Sequence, residues 1–104
     1  MPPLPEPSLI AQLYADAIAR GDSLGTVVRV DVAASRRGSH VWLGVGIHMD
    51  SPMPSDIAGR RLESSVGPCD VAEREWSVAG WGVREVLYFT AEPELQCRAA
   101  GRAA

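Results

Sequence analysis

The first regular feature of the chain is a run of apolar side chains spaced like one face of a helix. Over residues 9–20 apolar positions recur every three or four residues, which predicts an amphipathic helix. Ser8 is suited to cap its first turn, and Gly21 is suited to end it in a left-handed conformation. The apolar positions are Leu9, Ile10, Leu13, Tyr14, Ala17 and Ile18.

After this helix the apolar positions alternate with polar ones, which is the period of a strand. A first strand is predicted from Thr26 onward and a second over 41–49. The polar segment 35–39 between them contains Gly38 and is typical of a hairpin loop, so we expect an antiparallel pair. In the first strand the pattern places Val28, Val30 and Val32 on one face and Val27, Arg29 and Asp31 on the other.

Prolines and glycines divide the remaining sequence into shorter segments. Pro52 and Pro54 mark a loop. Residues 55–66 are ambiguous: we favour a short helix or irregular turn, and a strand is the alternative. A short strand is predicted over 76–80, and the consecutive apolar residues within 83–91 favour a central strand buried on both faces.

These elements predict one α+β domain, in which an N-terminal helix packs on a mainly antiparallel sheet of four or five strands. We expect the domain to cover 8–92, between a flexible Pro-rich leader at 1–7 and a polar, Ala-rich tail at 93–104. The leader has neither the basic start nor the apolar run of a signal peptide. We therefore expect a cytoplasmic protein with no membrane segment, in which Cys69 and Cys97 are reduced thiols.

Composition narrows the possible chemistry. The 104 residues carry a formal net charge of -3, and all ten basic residues other than histidine are arginine. The absence of lysine excludes Schiff-base catalysis and a P-loop. Lysine and asparagine, both absent, have A-rich codons, so the composition indicates a GC-rich genome and we expect a bacterial or phage source. The acidic balance disfavours a nucleic-acid partner.

No catalytic or metal-binding motif is apparent. Two histidines, His40 and His48, would lie about 26 Å apart on one extended strand, too far to share a metal ion. Cys69 is preceded by Pro68 and followed by Asp70, a carboxylate that would make the thiol less reactive. We therefore predict no metal, no cofactor and no catalytic residue, and we regard enzymatic activity as the less favoured option.

Glu85 is the one carboxylate in an unusual position. Strand alternation places it on the same face as Val83, Leu87 and Phe89, where it needs a partner or a proton. We expect an arginine partner such as Arg29. The alternative is a general acid in a ligand pocket that Tyr88 and His48 would also line.

The second predicted strand carries an unusual set of residues on its less apolar face. Trp42, Gly44, Gly46 and His48 alternate there, so bare backbone lies between an aromatic ring and an imidazole. Trp81, which also has small neighbours, could extend this set into one aromatic patch if both tryptophans lie outside the core. Packing of each ring in the core is the competing interpretation.

The sequence therefore favours a small non-enzymatic binding module that uses this aromatic patch on another protein, as an inhibitor or accessory protein of the toxin-immunity or phage anti-defence type. A homodimer is a further option. The first alternative is a small oligomeric ligand-binding protein or enzyme with a pocket near Glu85. The third hypothesis is a nucleic-acid-associated accessory protein that uses Arg36 and Arg37 at the hairpin tip.

Overall fold

A computed structural model describes residues 5–64 and 67–90 of the chain. It confirms the α+β class and the N-terminal helix, which packs on a five-stranded sheet. The elements are α1 (Pro7–Leu24), β1 (Val27–Arg37), β2 (His40–Met49), β3 (Arg60–Ser64), β4 (Gly67–Val78) and β5 (Trp81–Thr90).

The sheet has the order β1-β2-β5-β4-β3, and β2 runs parallel to β5 at its centre. The other three pairings are antiparallel. The sheet is thus mixed, and the prediction of a mainly antiparallel sheet was wrong in this detail. The reason is that a hairpin (β1–β2) and a three-stranded meander (β3–β4–β5) join side by side through strands that point the same way, which local sequence patterns do not reveal.

Helix α1 is longer at both ends than the predicted span of 9–20. It starts at Pro7, one residue inside the predicted leader, and Glu6 occupies the N-cap position without a side-chain cap bond. Proline suits the first helical position because the amide hydrogen that it lacks would be unpaired there anyway. Gly21 is not the C-cap but a buried helical residue, and the helix ends at Gly25, whose N–H donates to the Gly21 carbonyl at 2.9 Å.

The sequence pattern assigned the first residues of β1 to the wrong faces of the sheet. The register with β2 shifts between Val27 and Arg29, so Val28 is the extra residue of a bulge. This shift turns Val27 inward beside Val30, whereas Val28 is left 67% exposed.

Two further segments, 55–66 and 76–80, also differ from the predictions. No helix forms within 55–64: residues 55–59 form an irregular turn, which was one of the two favoured options, and β3 confirms the strand alternative for Arg60–Ser64. Strand β4 has 12 residues, far more than the short strand predicted over 76–80. Both strands belong to successive hairpins, in which Leu62 lies opposite Cys69 and Arg74 lies opposite Glu85, and this pairing overrides weak local propensity.

The core lies between α1 and one face of the sheet. Helix α1 contacts β1 and β2, and Leu13 and Ala17 point into the core. Strand β5 is central, but only its helix-side face is fully buried; Val86 and Tyr88 on its other face are half-buried. No helix in the described ranges has the length and apolar character needed to cross a membrane. The sheet residues that complete the core include Leu43, Val45, Ile47, Val83, Leu87 and Phe89.

Candidate functional site

The face of the sheet opposite α1 is called the open face below. It contains a shallow depression of about 590 Å³, to which all five strands contribute residues. Because side chains alternate between the faces of a strand, the even-numbered residues of β2 and β5 line it. Among these are three of the residues that the sequence singled out for binding, namely Gly44, Gly46 and His48.

The floor of the depression is apolar and partly bare. At Gly44 a Cβ atom would meet nothing closer than the Ala33 carbonyl oxygen, 3.8 Å away. The half-buried side chains of Val86 and Leu62 provide the surrounding apolar surface, and Val71 lies buried beneath it. A partner's side chain can therefore reach the backbone of β2 without displacing any atom of this chain.

An aromatic pair stands on the β1 side of this floor. The rings of His48 and Tyr88 stack with their centroids 4.9 Å apart and their planes within 9°. His48 Nε2 also lies 3.0 Å from Asp31 Oδ2 and 3.2 Å from Arg29 Nη2. The same nitrogen can donate to the carboxylate or accept from the guanidinium, so either tautomer has a partner. These contacts hold the imidazole in place beside the floor.

Charged side chains on the opposite side connect three strands. Glu73 of β4 accepts hydrogen bonds from Arg84 of β5 at 2.9 Å and from Arg60 of β3 at 2.8 Å. These bonds, chiefly the one from Arg84, hold the pKa of Glu73 below its usual value, and the same contact raises the pKa of Arg84. Arg29 is paired with Asp31 at 3.1 Å. Each of the three arginines that line the depression therefore has an acidic partner.

The structure does not bring the two tryptophans Trp42 and Trp81 together. Trp42 lies over Gly82 of β5: a Cβ atom on that glycine would be 2.9 Å from Trp42 Cε3. Trp81 precedes Gly82 and so projects to the opposite face, where it packs against the core. The predicted single aromatic patch is therefore wrong. Among the described residues, the aromatic side chains on the open face include Trp42, His48 and Tyr88.

Glu85 is buried, with its side chain 3% exposed, and it is fully paired. It accepts a hydrogen bond from Arg20 of α1 at 2.6 Å and two from Arg74 of β4 at 2.9 and 3.0 Å. Arg74 also lies over the Trp76 ring, 4.6 Å from its centroid. The expected partner, Arg29, is wrong because Arg29 lies on the open face.

The predicted pocket of Glu85 with Tyr88 and His48 does not form, because Glu85 lies on the helix side and the two rings on the open face. A separate cleft of about 340 Å³ adjoins Glu85 between α1 and β4, lined in part by Asp16 and Trp76. The sequence signal for its true partner was the alternation of Arg74 with Trp76, but it becomes readable only once 67–78 is known to be one strand.

The arginines proposed for nucleic-acid contact lie at the end of β1, next to the hairpin turn at Gly38, whose φ is +63°. Arg36 is exposed, and its Nε donates to the Gly38 carbonyl at 2.9 Å. The side chain of Arg37 lies outside the described part of the structure. One hydrogen-bond donor of Arg36 is therefore already used within the hairpin turn.

Within residues 5–64 and 67–90, no three His, Cys, Asp or Glu side chains are arranged to hold a metal ion. Cys69 is a half-buried thiol in β4. Cys97 and the predicted tail at 93–104 lie outside the described residues.

In sequence the chain is similar to a small part of chitin synthase A from Aspergillus oryzae. The two are 28% identical over 93 residues, which is 86% of this chain and 5% of that enzyme. No family model matches the chain. No solved structure matches it at a significant level. The chain thus spans only a small fraction of the relative it matches, and its function is inferred below from its own geometry.

Proposed function

We propose that the protein is a non-enzymatic binding module whose open face docks on another protein. The observation that supports this most directly is the depression of about 590 Å³ with its bare backbone at Gly44. An apolar floor bordered by stacked rings and by paired charges resembles the core and rim of protein interfaces. Tyr88 and Trp42 would supply most of the apolar contact.

A protein partner fits this face better than a nucleic acid does. Phosphate recognition needs cationic groups that are free to replace counterions. On the open face Arg29, Arg60 and Arg84 are all paired with carboxylates. A protein surface with its own mixture of charges can exchange hydrogen bonds with such pairs without leaving a buried charge unpaired.

Within this class we propose an inhibitor or accessory role of the toxin-immunity or phage anti-defence type. The support is compositional: the chain is small, carries a net charge of -3 and has no lysine, which fits a GC-rich bacterial or phage genome. A cytoplasmic location is part of the same proposal.

The test is to fill the floor of the depression. Gly44→Val places a branched side chain where there is open space, on a central strand that favours such residues. We expect unchanged or slightly higher stability, by up to about 1 kcal/mol, because valine restricts the unfolded chain. Partner capture from source cells, quantified by mass spectrometry and repeated with the purified partner, should weaken at least about tenfold.

Gly44→Ala provides a graded comparison, since one methyl group fits within this chain and fills less of the floor, so it should weaken binding less than Gly44→Val does. Trp42→Ala should also reduce binding while leaving the fold close to its original stability. A partner that binds the Gly44→Val and Trp42→Ala variants as tightly as the wild type would refute the open face as the binding surface.

The cleft of about 340 Å³ beside Glu85 supports a second candidate function, a small-ligand site between α1 and β4. Trp76 could stack on a planar cationic ligand, whose charge Asp16 and Glu75 of the same lining would balance. Arg74 is already paired with Glu85. Native mass spectrometry of the gently purified chain tests this. Extra mass that is lost on denaturation would favour the ligand-binding function, and a bare protomer or clean multiples of it would favour the protein-binding module.

A further inference from the structure

The outer edge of β1 is the longest edge that a single strand gives to the sheet. Strand β1 has 11 residues and pairs on one side only, with β2, whereas the other edge is divided between the five residues of β3 and the part of β4 that β3 does not cover. An edge strand presents unpaired backbone N–H and C=O groups that can pair with another chain. Long edges are normally shielded, so a long edge next to exposed apolar surface indicates an interface.

Exposed apolar side chains lie beside this edge. The large hydrophobic residues that are exposed in the described ranges are Tyr14 (37%), Ile18 (45%) and Val28 (67%). Arg20 reaches from α1 across β2 to Glu85 on β5, which fixes how the helix is rotated. At about 100° per residue, Ile18 and Tyr14 lie about 160° and 120° around the helix from Arg20. They therefore project from the flank of α1 that overhangs β1.

The helix and the strand are also aligned along their length. Gly21 packs against Val27, and α1 runs back over β1 from there. Tyr14 is seven residues before Gly21, about 10 Å along the helix, which corresponds to about three residues along a strand. Tyr14 thus lies level with Val30, and Ile18, which is closer to Gly21, lies level with Val28 and Arg29.

We propose that two copies of this chain associate through the outer edges of their β1 strands. The strands pair antiparallel around a twofold axis near Val30, and the two sheets become one continuous sheet. In the layer above, α1 of each copy meets its counterpart through Tyr14 and Ile18. Because the bulge at Val28 interrupts the strand just before Arg29, the ladder is short, and the helix layer contributes much of the interface.

Charge favours a second copy as the occupant of this edge. When the axis passes through Val30, Arg29 of each copy lies opposite Asp31 of the other, which gives two cross-strand pairs of opposite charge. An axis through Arg29 or Asp31 would instead place like charges opposite each other. Self-complementarity of this kind is what a twofold interface requires.

Sedimentation equilibrium of the purified full chain tests the proposal. The wild type should be a dimer, and Ile18→Asp should raise the dissociation constant at least about tenfold by placing a charge in the apolar layer. Arg29→Asp should also weaken the dimer, because it places two carboxylates opposite each other. Adding Asp31→Arg to that variant should restore association, since the charges are then complementary again. Asp56→Arg, in the loop before β3, is the matched charge control and should dimerise like the wild type.

Circular dichroism of each variant confirms that it is folded. A second measurement needs no variant: amide exchange around Val30 in the wild type should become faster on dilution below the dissociation constant. A wild type that stays monomeric up to millimolar concentration would overturn the proposal. So would a dimer that is unaffected by Ile18→Asp, or a charge swap that does not restore association. The Gly44→Val variant should remain dimeric, so the dimer and the open-face function can fail independently.

Discussion

At the scale of single residues, Glu85 shows how a buried charge can serve the fold. Its carboxylate is almost completely removed from water, and its three hydrogen bonds come from arginines on α1 and β4. The side chains of Arg20 and Arg74 are 30% and 50% exposed. They therefore neutralise the buried carboxylate while their own charges stay in contact with water. The cluster joins the helix to the far half of the sheet, which α1 otherwise barely touches.

Glu85→Gln should therefore lower the free energy of unfolding by about 2–4 kcal/mol, because the amide cannot satisfy two guanidinium groups and one of its own groups is left poorly bonded. Urea unfolding followed by fluorescence measures this loss. Glu75→Gln is the control, since Glu75 is 59% exposed and its loss should change stability by less than about 0.5 kcal/mol. If Glu85→Gln were as stable as the wild type yet lost a bound ligand, the small-ligand function would take precedence.

Strand alternation within 83–89 was enough to predict that Glu85 is buried among apolar residues. Its partners could not be predicted, because Arg20 is 65 residues away in sequence and Arg74 belongs to a strand that was not recognised. Similarly, alternation placed Gly44 and His48 on the face opposite the core. It could not show that Trp42 and Trp81 lie on opposite faces, since that depends on the register of β2 with β5.

At the scale of elements, the cluster of Arg60, Glu73 and Arg84 fastens β3 to β4 and β5 across the open face. The pKa of Glu73 is lowered in the folded state. A lowered pKa means that the carboxylate stabilises the fold fully above its unfolded pKa, and that this contribution disappears as the pH falls through the folded value.

We therefore expect the thermal stability of the wild type to exceed that of Glu73→Gln at neutral pH, and the two to converge as the pH falls below the ordinary pKa of a glutamate. Thermal melts between neutral and strongly acidic pH measure this difference. The effect should be small and should shrink at high salt, because the pair is exposed to solvent. A difference that grows on acidification would contradict the assignment.

The elements that the sequence predicted well are those in which the spacing of apolar residues matches the period of a helix or a strand. Helix α1 and the β1–β2 hairpin carry strong apolar periods, so local pattern and tertiary packing agree. Strands β3 and β4 carry many charges and no clear alternation, because one of their faces is open and contains the ion pairs. Strand β3 pairs with β4, and β4 pairs with β5, so these strands follow from successive hairpin pairings and not from a period of their own.

At the scale of the whole molecule, the central parallel pair joins distant parts of the chain. Leu43 on β2 lies opposite Val83 on β5, so a long segment must be enclosed before this contact forms. The hairpin and the meander each bury little by themselves, and the common core is built from side chains of both. The domain should therefore unfold as one unit.

Hydrogen exchange under native conditions checks this cooperativity. The slowest amides should belong to β2 and β5, which have paired neighbours on both sides and carry buried residues such as Ile47 and Leu87. Their exchange should occur with the same opening free energy in both strands, because neither keeps its core without the other. Strand β3 and the turn at Gly38 should exchange faster by local opening. If β1–β2 and β4–β5 instead opened with clearly different free energies, the two halves would be independent units and the parallel pair would be only a weak contact between them.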